Sequence, residues 1–345
     1  KTAETVWQAK KKCPDLLLLP PHHEKYREYH RKINAIFSSY TDQVEPFSID
    51  ESWLDVTHSQ KLFGDGKTIA DTIRERVKKE LGLTLSAGVS FCKVFAKMGS
   101  EYRKPDATTV ISRENYRELL WPLPVGELFF VGWATAQRLT NYGIRTIGNL
   151  AESSPLFLEK ILGKQGPILR SYARGEEDSP VRRNSEREKI KSVGNGRTFS
   201  RNLSGEDEIR TAVTFLSDIV AGRLRKYQLR ASSIKVDIKN PELKTISRQK
   251  PLPYATDLAE DLRGGAMDLI RTSYGFGRPI RLITVTAIHL SDGASEEQLS
   301  FFSEKAGPDP KSEAVENAMD RIRGKYGKGA IKFGGTFGQD TGFDM

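Results

Sequence analysis

Two adjacent carboxylates, Asp50 and Glu51, are the residues of this sequence whose types and spacing most strongly suggest chemistry. They lie between two strand-like stretches, residues 43–49 and 52–56. A buried carboxylate pair is costly unless something compensates its charge, and divalent cations can do so. Phosphoryl transfer commonly uses two metal ions roughly 4 Å apart, and Mg²⁺ prefers carboxylate and phosphate oxygens. The pair therefore predicts a site for two Mg²⁺ ions, although an ordinary acidic turn also fits two residues taken alone.

Helices and strands alternate around this pair, which predicts an α/β sheet of the palm type. The helix predicted for residues 67–81 has Ile69, Ile73 and Val77 at steps of four and Gly82 as its end. We predict the other helices at residues 2–12, 22–40 and 92–102, and strands at 84–90 and 108–111. Residues 16–19, four leucines before a proline pair, are predicted to form a short buried strand.

The composition of the sequence changes after residue 122, where the predicted palm ends. We expect the remaining part of the palm and fingers at 1–122, a small domain of short helices at 123–175 and a charged linker at 176–191. Residues 192–290 show the order strand, helix, strand, strand, helix, strand, and Ile234, Val236 and Ile238 alternate with charged residues. A polar tail follows at 291–345, with a helix predicted near 312–326.

Composition and charge narrow the class of protein. The net charge is +9, and residues 191–290 hold 17 Lys or Arg against 10 Asp or Glu, an excess expected of a domain that binds nucleic acid. No apolar run approaches the length of a membrane span, so we expect no membrane partner. Two cysteines without metal-ligand spacing favour free thiols in a reducing, cytoplasmic compartment.

Three blocks of sequence carry a resemblance to a known family. The run FSIDESWLDVT at 47–57 resembles the signature of Y-family DNA polymerases of the DinB type, in which the Asp-Glu pair supplies active-site carboxylates. The runs SFCKVFAK at 90–97 and YRKPD at 102–106 resemble the next blocks of that family. The resemblance implies a multi-domain α/β fold with a palm sheet, a helix-hairpin-helix thumb and an α+β little-finger domain.

The resemblance also implies a reaction, template-directed DNA synthesis of low fidelity that copies past lesions. Asp50 would ligate metal, and Glu51 would ligate or position the metal near the primer 3′-hydroxyl, with two Mg²⁺ as cofactors. Lys104 matches the lysine that contacts the incoming deoxynucleoside triphosphate, although a solvated surface lysine is the alternative.

Three further groups of residues are expected to bind partners. The thumb hairpin would hold the primer–template DNA backbone through Gly132 and Ala134, and the little finger through Arg230, Arg248 and Arg281. A peptide in the tail resembles the one by which bacterial polymerases bind the sliding clamp, and it consists of Gln298, Leu299, Phe301 and Phe302 around Ser300. Nothing in the sequence calls for an oligomer, and we expect a monomer.

The main departure from the family is at the first residues. The family's palm begins with a strand that carries another metal-binding aspartate, and residues 1–4 already match a helix that lies after it. We therefore expect these 345 residues by themselves to be inactive. The alternative function is a non-catalytic relative that binds DNA and the clamp as a scaffold; a helix-hairpin-helix nuclease explains the other blocks less well.

Overall fold

Apolar residues at helical and strand spacing account for most elements of the fold. The structure is a computed structural model. It describes residues 4–183, 186, 189–292, 307, 309–327 and 329–334. The chain divides into two units, Lys1–Arg187 and Glu188–Met345. Within the described ranges, no helix has the length and apolarity needed to cross a bilayer.

The first unit is built from short helices and two small sheets. Its strands are β1 (Val44–Pro46), β2 (Ser52–Leu54), β3 (Ala87–Ser90) and β4 (Thr108–Ile111). Its helices are α1 (Val6–Lys12), α2 (His23–Ser38), α3 (Gln60–Phe63), α4 (Gly66–Leu81), α5 (Lys93–Tyr102), α6 (Tyr116–Leu120), α7 (Trp133–Asn141), α8 (Ile147–Glu152), α9 (Pro155–Leu162) and α10 (Gln165–Ala173). Short 3₁₀ turns lie at Thr57–Ser59 and Val125–Glu127.

The helix α4 shows how the pattern produces the structure. Ile69, Ile73 and Val77 are buried at steps of four and pack with Ile36 of α2 and with Tyr40. The side chain of Asp65 caps the first turn by accepting from the Thr68 amide at 2.7 Å. Gly82 ends the helix with φ 67°, and the sequence prediction for this element is confirmed.

The helix α5 lies unusually close to β3. A Cβ added at Gly88 of β3 would be 1.8 Å from the Ala96 carbonyl oxygen and 2.5 Å from the Ser100 amide nitrogen. Only glycine therefore allows the backbone of α5 to approach this strand. Residues of α5 (Phe95 among them) share one buried cluster with residues of 123–173, so apolar packing continues across position 122.

The prediction of a short buried strand at residues 16–19 is wrong. Leu17 and Leu19 are 79% and 78% exposed, and the segment forms no strand. A strand is stabilised by a hydrogen-bonded neighbour, and in the described part of the chain no strand pairs with this segment. Its four leucines indicate the apolar character of the segment correctly but not its structure.

The second unit is a sheet covered on one face by two helices. Its strands are β5 (Ser192–Leu203), β6 (Arg230–Lys239), β7 (Thr245–Thr256) and β8 (Ile280–Ser291), and its helices are α11 (Glu206–Lys226), α12 (Ala259–Ser273) and α13 (Pro310–Tyr326). The strand order is β5-β8-β6-β7, antiparallel throughout. Ile234, Val236 and Ile238 are buried in the cluster that includes α11 and α12, as the alternation predicts. The palm, thumb and little-finger architecture is thereby confirmed, whereas the domain boundaries stay predictions.

The C-terminal helix α13 is held to the second unit mainly by charge. Arg225 of α11 pairs with Glu316 and Asp320 of α13, and Glu316 also accepts from the Ala259 amide at 2.9 Å. Arg323 binds Asp218 with two contacts of 2.8 Å. The Arg225 and Glu316 side chains are both only 7% exposed. Breaking a buried pair leaves an uncompensated charge, which is strongly destabilising.

We expect Arg225→Ala to lower the free energy of unfolding of the second unit by about 3–5 kcal/mol, the usual cost of removing one partner of a buried ion pair. The measurement is amide hydrogen exchange of β6, whose slowest amides report this unit. Arg271→Ala, which removes an exposed partner of Glu206, should cost no more than about 1 kcal/mol and serves as the control. Equal effects of the two changes would contradict the prediction.

Candidate active site

The turn at residues 47–51 carries Asp50 and Glu51 between two paired strands. Pro46 of β1 lies opposite Ser52 of β2. The Phe47 and Ser48 amides donate to the Glu51 carbonyl at 2.9 and 3.3 Å, and the Ser48 hydroxyl donates to Asp50 Oδ1 at 2.7 Å. The Asp50 side chain is exposed and that of Glu51 is half-buried. Both carboxylates are therefore accessible at the end of a short hairpin.

A lysine from α5 compensates the charge of Glu51. The Lys97 ammonium donates to Glu51 Oε1 and to Glu101 Oε1, both at 2.6 Å. Burial alone would lower the pKa of Lys97, but the bonds to Glu101 and Glu51 outweigh it and raise that pKa. Lys97 therefore places a positive charge between Glu51 and Glu101.

Lys104 is joined to the same charge network. Its ammonium donates to Glu101 Oε1 at 2.7 Å, so charges alternate from Glu51 through Lys97 and Glu101 to Lys104. The loop that carries Lys104 is fixed two residues further on, where the Asp106 carboxylate accepts a hydrogen bond from the Arg74 guanidinium of α4 at 2.8 Å. The Lys104 side chain is half exposed and can reach a ligand.

A second lysine of α5 fixes the strand that leads into the turn. Lys93 donates to Glu45 of β1 at 2.7 Å, and the same carboxylate accepts from the Arg182 side chain at 2.9 Å and its amide at 2.8 Å. The Trp53 indole of β2 donates to the Lys93 carbonyl at 3.1 Å. Burial works to raise the pKa of Glu45, but the hydrogen bonds from Arg182 and Lys93 prevail and lower it to about 2.

An aromatic cluster connects the turn with the helical part of the first unit. Phe47 packs on Trp53 with ring centroids 4.7 Å apart and on Phe129 at 5.6 Å. Phe129 in turn contacts Phe130 at 4.0 Å, and Phe130 contacts Tyr172 of α10 at 5.7 Å. Rings in such tilted contact add to the energy of burial. The cluster holds the turn against Phe129 and Phe130, in the segment that precedes α7.

The helix α7 begins after this segment, and no side chain caps its N-terminal end. Gly132 is its N-cap residue, and no side chain bonds to the first amides, which include that of Ala134. A Cβ at Gly132 would meet nothing within 4 Å, so the approach to these amides is open. Trp133 is 79% exposed beside them. Free amides at a helix start can bind a phosphate without reading sequence.

The predicted arginines of the little finger do not lie together. Arg230 donates to Glu313 of α13 at 2.6 Å. Arg281 donates to the Phe199 carbonyl at 2.6 Å. Arg248 pairs in register with buried Val236, so its exposed side chain is on the helix-bearing side of an edge strand. The three residues mark no common surface, and their DNA-binding role stays a prediction.

The open face of this sheet carries a different set of residues. In register across β5, β8 and β6, Gly194 is opposite Thr286, which is opposite Lys235. Two residues along, Gly196 is opposite Thr284, and Lys239 lies on the same face as Lys235. A Cβ at Gly196 would be 2.2 Å from the Thr284 hydroxyl oxygen. Asp237 lies opposite Thr284 between the two lysines and pairs with Lys235 at 3.3 Å, so small residues, two lysines and one carboxylate make up this face.

Asp50 and Glu51 suit Mg²⁺ because they offer accessible hard oxygen ligands beside one another. Among the described residues, no group of three or more His, Cys, Asp or Glu side chains could hold a metal ion. The role of Asp50 and Glu51 as metal ligands therefore stays a prediction. The clamp-peptide prediction at Gln298, Leu299, Phe301 and Phe302 falls outside the described residues.

Comparison with known proteins agrees with this arrangement. The impB/mucB/samB family matches residues 1–101, the C-terminal domain of that family matches 190–301, and the IMS family HHH motif matches 113–144. DNA polymerase IV of Acetivibrio thermocellus is 40% identical over 334 residues, 97% of this chain and 84% of that protein. DNA polymerase IV 1 of Bacillus subtilis is 36% identical over 338 residues, 97% of this chain and 80% of that protein.

A solved structure supports the same conclusion for the fold. A Y-family DNA polymerase chimera superimposes with a TM-score of 0.72 at 24% identity, covering 82% of this chain and 81% of the chimera. The chain therefore belongs to the impB/mucB/samB family, the Y-family DNA polymerases of the DinB type.

Sequence reasoning missed how the turn is supported. The i, i+4 spacing of Lys93 and Lys97 was the available signal, because it puts both cations on one face of α5, where Lys93 meets Glu45 and Lys97 meets Glu51. Glu45 and Arg182, which are 137 positions apart, gave no such signal. Glu101 was not singled out either, although it joins Lys97 and Lys104.

We expect Glu45→Gln to lower the free energy of unfolding of the first unit by roughly 3 kcal/mol at pH 7. The folded pKa of about 2 lies below the unfolded value near 4.5, so the stabilisation is complete above pH 4.5. It is lost as the pH falls through 2, and the difference between the two proteins should shrink over that window.

The measurement is urea unfolding against pH, followed by tryptophan fluorescence, because all four tryptophans lie in the first unit. Glu28→Gln, which removes a solvated partner of Lys32 on α2, is the control and should change little at any pH. A difference for Glu45→Gln that is constant from pH 7 to pH 2 would argue against the ion-pair explanation.

Proposed function

We propose that this chain catalyses template-directed addition of deoxynucleotides to a primer 3′ end, as a low-fidelity DNA polymerase of translesion synthesis in DNA repair. The observation that carries the proposal is the run of alternating charges from Glu51 through Lys97 and Glu101 to Lys104. This run joins the carboxylate turn to the lysine that would meet the triphosphate. Membership of the Y family gives the reaction its class.

Asp50 and Glu51 would hold two Mg²⁺ ions, which supply activation of the primer 3′-hydroxyl and charge compensation on the phosphates. Lys97 orients the Glu51 carboxylate by donating to its Oε1. Lys104 binds the triphosphate and stabilises the negative charge that develops on the leaving pyrophosphate. A further carboxylate is needed for a complete ligand set.

Primer–template DNA is the proposed partner of two surfaces. The uncapped start of α7 at Gly132 and Ala134 would bind one backbone phosphate of the duplex. The open face of the little-finger sheet, with Lys235 and Lys239, would lie against the backbone elsewhere. Both surfaces offer charge and amide donors rather than base-reading groups, so binding would be indifferent to sequence.

The remaining partners follow from the proposed reaction. The peptide at 298–302 would dock on the bacterial sliding clamp and raise the number of nucleotides added in one binding event. A polymerase that copies the bacterial chromosome works in the cytoplasm, and we propose that this one does so as a monomer.

We expect Asp50→Asn to reduce the rate of primer extension by about 10³-fold, because a bound metal contributes several kcal/mol to the transition state. Primer extension with Mg²⁺ is measured on the protein expressed from its whole open reading frame. DNA affinity, read by fluorescence anisotropy, should be nearly unchanged.

The matched control is Asp55→Asn on the same hairpin. Asp55 accepts from the Thr57 amide at 2.9 Å, and an amide oxygen can keep that bond. Its variant should extend primers like the parent. Full extension by Asp50→Asn would refute the metal assignment, and absence of extension by the parent with DNA binding intact would favour a scaffold.

We expect the double change Lys235→Ala and Lys239→Ala to weaken duplex binding and to reduce the slope of log affinity against log salt by about 2. Arg248→Ala, on the other side of the sheet, removes a charge of the same sign from the same domain and should change the slope much less. The measurement is a salt titration of DNA affinity. An equal loss from Arg248→Ala would assign the effect to net charge instead of the open face.

A further inference from the structure

Two polar side chains of α2 reach the turn that carries Asp50 and Glu51. His30 and Asn34 are one helical turn apart and therefore project from the same face of α2. His30 Nδ1 lies 2.8 Å from the Ile49 carbonyl oxygen. Asn34 Oδ1 accepts from the Ser52 hydroxyl at 2.9 Å.

These two contacts bracket the carboxylate pair. Ile49 directly precedes Asp50, and Ser52 directly follows Glu51. The turn has few bonds of its own, chiefly those from the Phe47 and Ser48 amides to the Glu51 carbonyl. The contacts from α2 therefore restrain the turn on both sides of the carboxylate pair.

The chemistry of the two side chains fits this task. A carbonyl oxygen only accepts, so His30 Nδ1 must carry the proton. Asn34 is 8% exposed, and its amide nitrogen donates to the His30 carbonyl at 2.8 Å and lies 3.5 Å from His30 Nε2. A buried amide left without partners would be costly, so Asn34 is fixed in orientation by the bonds it makes. Its orientation in turn presents Oδ1 to Ser52.

We propose that His30 and Asn34 are positioning residues that hold the Asp50–Glu51 turn in its metal-binding geometry. The proposal rests on the proposed function, since it assigns these residues to the metal site through that turn. Lys97 fixes the Glu51 side chain from α5, and the His30–Asn34 pair fixes the backbone of the turn from α2. Functional side chains need their supporting groups locked to about half an ångström, and this pair supplies that support.

The first test measures the turn itself in the 345-residue chain. Amide hydrogen exchange at Phe47 and Ser48 reports the bonds to the Glu51 carbonyl. His30→Leu and, separately, Ser52→Ala should each accelerate this exchange on the order of tenfold, the equivalent of one hydrogen bond. Exchange at Val77, buried in α4 beside α2, should stay unchanged and shows that folding is intact.

The second test measures Mn²⁺ binding by the free-ion electron paramagnetic resonance signal. His30→Leu and Ser52→Ala should weaken Mn²⁺ binding by about tenfold, the lower end of the usual effect of groups that support metal ligands. Asp50→Ala should abolish it. His30→Asn, which retains an N–H near the position of Nδ1, should restore both readouts toward the parent.

A control variant separates this pair from general effects on α2. Lys32→Leu changes an exposed residue of the same helix, between His30 and Asn34 but on another face. It should leave exchange of the turn and Mn²⁺ affinity as in the parent.

The outcomes are distinct. Unchanged exchange at Phe47 and Ser48 in both His30→Leu and Ser52→Ala would overturn the proposal. Accelerated exchange with unaltered Mn²⁺ affinity would overturn it as well, because the turn would be held for another reason. Equal Mn²⁺ binding by the parent and Asp50→Ala, with exchange accelerated in the α2 variants, would refute the metal assignment while supporting the mechanical role of His30 and Asn34.

Discussion

The ion pair between Lys97 of α5 and Glu51 is the interaction on which the position of the carboxylate turn depends. Asp50 and Glu51 are adjacent and accessible at the end of a short hairpin. The compensating cation is Lys97, whose ammonium lies 2.6 Å from Glu51. That distance requires α5 to lie close to the hairpin. The close approach of α5 to β3, which only glycine at position 88 allows, fixes the helix that delivers this cation.

The same helix stabilises the strands on either side of the turn. Lys93, one turn before Lys97, neutralises Glu45 on β1, and its carbonyl accepts from Trp53 on β2. Arg182, from the segment after α10, completes the Glu45 ion pair. Because Glu45 is almost fully buried, its charge is stable only while both cations are present. The geometry of the turn and the path of the distant segment are thus energetically coupled through one carboxylate.

Local pattern predicted the elements well, and pairing between distant residues explains where it failed. The step of four in α4 and the alternation in β6 each record a buried face, so both were predictable. The leucines at 16–19 have an apolar pattern but no hydrogen-bonded neighbour, and a strand requires one. The contacts of His30 with Ile49 and of Asn34 with Ser52 join residues 19 and 18 positions apart, and no spacing rule connects them. The carboxylates of the candidate site could be found from sequence, whereas their supports required the structure.

The second unit shows that an excess of cations in the sequence does not by itself define a positively charged surface. An excess of cations in residues 191–290 predicted a polyanion partner. Several of those arginines instead have partners in the same unit: Arg225 binds Glu316 and Asp320, and Arg230 binds Glu313. A cation already paired with a carboxylate contributes little net field to an approaching phosphate. Strand register, more than the number of cations, therefore decides which cations share one face. It sets Lys235 beside Thr286 and Gly194, with Asp237 as its partner at 3.3 Å, and Lys239 lies on the same face.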